Sequence, residues 1–151
     1  MNGQLRERIQ NLGTEFGDVF HRAINSEALG LMPGLTAGQM LEGWIKTCFR
    51  TPAEQVAFIE HIVGRWSGAQ VVDLVCRLSR PWQAAMFPIL QEHCKSRHDL
   101  EMETALAICE AQDQIHQFDL RRAQKLATAG ATADVNAASA DAPVLEAVST
   151  S

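Results

Sequence analysis

The chain has 151 residues, 46% apolar and 21% charged, the size and composition of one domain that buries its own core. A net charge of −5 gives it no bulk attraction to nucleic-acid backbones, so nucleic acid is disfavoured as a partner. No run of 18 apolar residues is present to span a bilayer, and the polar start, Met1 to Gln10, has no secretion-signal core.

All Lys and Arg lie in residues 1–127, and of the acids only Asp134, Asp141 and Glu146 lie beyond. The foldable part is therefore expected at 1–127, with 128–151 as an Ala/Ser/Thr-rich disordered tail. Cys48, Cys76, Cys94 and Cys109 each sit in an apolar helical pattern without a CxxC pair. Such spacing predicts reduced thiols, and with the polar start it places the chain inside the cell, cytoplasmic or nuclear.

In chain order, Leu5, Ile9, Leu12, Phe16, Val19 and Ala23 recur at alternating gaps of four and three, one stripe of an amphipathic helix. Gly13 and Gly17 weaken that helix by roughly 1 kcal/mol each relative to Ala. Asn25 to Leu35, with Pro33-Gly34, reads as a loop containing one helical turn. Three capping sequences follow: Thr36-Ala-Gly-Gln39, Thr51-Pro-Ala-Glu54 and Ser67-Gly-Ala-Gln70. In each, the hydroxyl can accept from the backbone N–H three residues on while the Gln or Glu reaches back. Three short helices with tight turns are predicted, with apolar faces at Leu41, Trp44, Ile45 and Cys48, at Val56, Ile59, Ile62, Val63 and Trp66, and at Val71, Leu74, Val75 and Leu78. A fourth starts near Pro81 and carries Trp82, Ala85, Met86, Ile89, Leu90 and Cys94, with Pro88 predicting a kink or a break. Asp99 caps a last helix over roughly 100–127. No strand is predicted. The fold class is all-α, a compact bundle of about five short helices.

Charge is unevenly placed. Arg65, Arg77, Arg80, Lys95 and Arg97 make 61–98 a basic segment, whereas 99–119 carries Asp99, Glu101, Glu103, Glu110, Asp113 and Asp119 without a base. Acids early and bases late (Arg121, Arg122, Lys125) suit a helix dipole, and the acidic face can also dock on the basic middle of this or another chain.

Catalytic and metal templates are weak. HExxH, GxSxG, GxxxxGK[ST] and GxGxxG are all absent. Glu60-His61 and Glu92-His93 are adjacent pairs that point to different sides of a helix. His93, Cys94 and His98 with Cys109 and His116 hold the donors of a zinc site, but at no compact zinc-finger spacing. No catalytic residue, metal site or cofactor is assigned.

The segment Thr51-Pro-Ala-Glu-Gln-Val-Ala-Phe-Ile-Glu-His-Ile-Val-Gly-Arg-Trp66 resembles the dimerisation domain of beta-transducin-repeat-containing F-box proteins. There, too, a polar cap leads into such an apolar pattern. Residues 44–90 are also similar to the pseudo-HEAT helices of Smaug-like translational regulators. The resemblance implies a helical association module and transfers no functional residue; F-box, WD and RNA-binding SAM signatures are missing from the chain.

The expected function is therefore a non-enzymatic adaptor or dimerisation domain that binds a protein partner or itself. Its binding surface is read as the Leu5–Ile9–Leu12–Phe16–Val19 stripe with Trp82, an interface anchor by type. The alternatives are a nucleic-acid-associated regulator using the five bases of 61–98, or a zinc-binding helical domain.

Overall fold

Helices in this chain begin where a side-chain oxygen is available for the N–H groups that the first turn leaves open. The computed structural model describes residues 2–138, the last eight as backbone only. Among the described residues it contains six α-helices and no strand: α1 (Gly3–Ala28), α2 (Ala37–Cys48), α3 (Pro52–Arg65), α4 (Gly68–Arg77), α5 (Arg80–Cys94) and α6 (Leu100–Ala138). Thr36 and Ser67 form the reciprocal caps of α2 and α4. Their hydroxyls accept from the Gln39 and Gln70 N–H groups at 3.1 and 3.3 Å, and each glutamine Oε1 accepts in return at 2.9 and 3.1 Å. Thr51 caps α3 at 3.2 Å with Pro52 in the first turn, while Glu54 pairs with Arg8 at 3.2 Å. The Ser79 hydroxyl does not cap α5. Glu42 of α2 substitutes, accepting from the Ser79 N–H at 2.8 Å and its hydroxyl at 3.1 Å.

The chain divides into two compact units after Asp113. In the first, α1 packs on α2 and α3, α3 on α5, and α2 on α4. Its centre is aromatic. Phe16 of α1 lies 5.3 Å from Trp44, 5.3 Å from Phe58 and 5.4 Å from Trp66, centroid to centroid, and Phe20 lies 5.0 Å from Trp66. Leu41, Ile45, Val63, Leu74 and Met102 complete a core closed to solvent. Burying side chains of this size contributes about 1.5–3 kcal/mol each in transfer terms, so the stripe on α1 is held by the chain's own helices.

Some expectations change. The 25–35 loop starts later, because α1 runs to Ala28 and stops at Gly30, whose φ of 66° suits the residue after a helix end. Pro88 does not break α5; it sits on the exposed side of a helix that continues to Cys94. α1 and α6 are long rather than short. In the second unit α6 passes the boundary expected at 127 and reaches Ala138. Alternating alanines from Ala127 on are the best helix formers, and extending an existing helix needs no new nucleus. The remainder of the expected tail, 139–151, lies outside the described residues. No described helix is long and apolar enough to cross a membrane.

Candidate functional site

The residues expected to face a partner from α1 point inward instead. Ile9 and Phe16 keep 2% and 0% of their surface, and Leu5, Leu12 and Val19 pack half-buried against the same core. The reason is the aromatic set Trp44, Phe58 and Trp66, which converges on Phe16 from α2 and from both the body and the end of α3. The connection through Pro33-Gly34 does not keep α1 apart.

The five bases of 61–98 do not form a free cationic face either. Arg97 donates to the Val63 carbonyl at 2.7 Å and the Trp66 carbonyl at 3.1 Å, closing the C-terminal end of α3, and sits 3.4 Å from Asp99. Arg77 holds Asp73 at 2.9 Å and Glu27 at 3.4 Å, and Lys95 holds Glu92 at 2.8 Å. Arg80 is engaged as well. Arg65 is exposed in the last turn of α3, the end where a helix dipole favours a cation. Their charge is largely committed within the chain.

The zinc alternative loses its geometry in the same way. Among the described residues no three His, Cys, Asp or Glu side chains come together as metal donors, so His93, Cys94, His98, Cys109 and His116 do not converge. The Cys94 thiol donates to the Met102 carbonyl at 3.7 Å. Cys109 is closed off from solvent, and burial, with a smaller contribution from Cys76, pushes its thiol up to about 12. A thiol in that state is a core group, not a ligand or nucleophile.

Among the expected site residues, Trp82 lies at an open apolar surface feature. α3 and α5 run side by side with their N-terminal ends together, and an apolar hollow of about 160 Å³ opens between them. Pro52, Val56 and Ile59 form one wall and Trp82, Met86 and Ile89 the other. Val56 leaves 42% of its surface in water. Lys46 of α2 stands over the Trp82 ring, 5.9 Å from its centroid. Beyond Val56 and Ile89 the groove continues into a second hollow of about 290 Å³ edged by Glu60, Glu92 and His93. It is thus apolar, with a base at the Trp82 end and acids at the other.

Next to it, Arg6, Ile9, Gln10, Glu60, His61 and His93 line a wider hollow of about 360 Å³ with both polar and apolar walls. Burial, and then the nearby Arg65 charge, hold the His61 imidazole below its ordinary value. Among the described residues no hydrogen bond joins Glu60, His61 and His93.

The groove was not foreseen as a whole. Val56 and Ile59 read as core positions of their helix, and only the packing of α3 on α5 leaves Val56 at a rim. A second feature was passed over although its signal was present. Ile115, Phe118 and Leu126 of α6 are exposed apolar residues next to Arg121, Arg122 and Lys125. No family model, curated protein or solved structure matches the chain.

Proposed function

We propose that the chain is a non-enzymatic protein-interaction module whose working surface is the α3–α5 groove, and that it accepts an apolar helical segment of a protein partner. One observation carries this reading: Val56 and Trp82 hold an apolar hollow open at the surface of a bundle whose core is otherwise closed. Amphipathic helices dock in such grooves through a few apolar anchors, with charges at the ends setting direction. The resemblance of residues 44–90 to helical association domains points the same way, and the groove lies within that segment. The committed bases and dispersed metal donors supply no comparable support for nucleic-acid or zinc binding.

The test is capture from a lysate with the full chain and with Val56→Asp. The substitution places a carboxylate on an exposed rim, so the fold is expected to survive, as circular dichroism would check. Proteins retained by the wild type and lost with Val56→Asp support a docking groove. An identical captured set with both chains rejects it.

A further inference from the structure

We propose that the occupant of this groove is the exposed apolar stripe of α6 from a second copy of the chain, inserted reciprocally, so that the module associates with itself. The inference rests on the reading of the groove as a docking site and names its ligand.

The stripe consists of Ile115, Phe118 and Leu126. Phe118 and Leu126 leave 63% and 62% of their surface in water, and Ile115 leaves 38%. With 3.6 residues per turn, the three fall within an arc of about 80°, one narrow face of the helix. Leu120, also exposed, lies on another side. Large apolar residues collected on one face of a solvated helix mark a surface that is covered in use. The 160 Å³ hollow beside Trp82 has room for one large side chain, and Phe118 is the most exposed aromatic ring available to fill it.

Charge selects both the partner and its direction. On α6, at 100° per residue, Arg122 falls within the stripe and Lys125 beside it, both beyond Phe118; Asp119 borders its other edge, and Glu110 and Asp113 lie on other faces. In the groove, Lys46 stands at the Trp82 end, where Glu42 already accepts from Ser79 at the start of α5; Glu60 and Glu92 lie at the other end. Glu92 is shared with Lys95, whereas Glu60, which lines a hollow with Arg6 and His93, forms no ion pair among the described residues, so Glu60 is the acid most open to a new partner. The spacing agrees. At a rise of about 1.5 Å per residue, Phe118 to Arg122 or Lys125 spans roughly 6–10 Å, and Val56 to Glu60 roughly 6 Å. With Phe118 seated beside Val56, Arg122 and Lys125 arrive at the acidic end; the reversed helix would bring them to Lys46 instead. Each chain carries one groove and one stripe, so a two-fold exchange would leave neither surface over.

Sedimentation of the purified full chain across micromolar concentrations tests the proposal. A dimer is expected whose dissociation constant rises about tenfold or more with Phe118→Asp and, separately, with Val56→Asp, as for truncated interface anchors. Arg122→Glu is expected to weaken it, and adding Glu60→Arg to that variant to restore it. A monomer at every concentration overturns the proposal. So does a dimer broken by Phe118→Asp but untouched by Val56→Asp, which means the stripes pair with each other. Failure of the charge exchange to restore association overturns it too. If the pure chain is monomeric while lysate capture still depends on Val56, self-association falls and the docking groove stands.

Discussion

Gly13, Gly17 and Gly38 carry the same side chain and do three different things. A Cβ on Gly17, inside α1, would meet nothing within 4 Å. Only the flexibility of glycine matters there, and Gly17→Ala is expected to stabilise the chain by about 0.5–1 kcal/mol. That corresponds to a rise in Tm of about 2–4 °C in a thermal melt. A Cβ on Gly13 would come within 3.0 Å of the His61 ring, so this glycine is the seat of α3 on α1. Gly38 is stricter. Its Cβ would run into the Arg77 carbonyl oxygen, a backbone atom at the end of α4 that cannot swing away. Gly38→Ala is expected to wedge α2 from α4 and lower stability by about 1–3 kcal/mol, despite the better helix propensity of alanine. Melts of the two variants side by side check the opposite signs. From the sequence, Gly13 and Gly17 read alike as helix weakeners, and only the neighbour across the interface separates them.

Among the elements, those with local instructions were legible and those ordered by distant partners were not. Thr36, Thr51, Ser67 and Asp99 start their helices where their spacing to Gln39, Glu54, Gln70 and Met102 says, because a cap is complete within one turn. The cap of α5 comes from Glu42, too far away along the chain to be read from Ser79. Arg97 read as part of a basic patch, yet it closes the end of α3 by donating to Val63 and Trp66. The candidate site was partly legible: Trp82 was singled out by type, but the wall opposite, Val56, needed the α3–α5 packing. The α1–α3 contact also predicts a pH effect through His61. Because its folded pKa is depressed, the unfolded chain binds this proton first as pH falls. Stability is then full above the ordinary histidine value of about 6.5 and declines as pH drops through it toward the folded pKa. Urea midpoints from about pH 8 to about pH 5 should fall less steeply for His61→Gln than for the wild type. Equal slopes would mean that the imidazole is solvated alike in both states.

For the whole molecule, net charge and local charge tell different stories. The total is −5, while acids and bases are segregated along α6 and at the two ends of the groove; under the proposed docking, that placement and not the total sets what fits. The first unit gathers Trp44, Phe58 and Trp66 inward on Phe16, and the second presents Phe118 to water.

Cys109 turns that interior into a clock. Its thiol is closed to solvent and pushed up to about 12, so near pH 8 only roughly one molecule in ten thousand carries the reactive thiolate even before access is considered. Cys76 is exposed, while Cys48 and Cys94 are half-buried with thiols raised chiefly by burial. Iodoacetamide should therefore modify Cys76 first and Cys109 last, as peptide masses taken at intervals would record. With enough reagent, the Cys109 rate should stop depending on reagent concentration and equal the rate at which the core opens. It should quicken in Gly38→Ala and slow in Gly17→Ala. Modification of Cys109 as fast as Cys76 would mean that the core breathes open without unfolding. Otherwise a single sulfur, with no chemistry of its own in the native state, keeps time for the whole bundle.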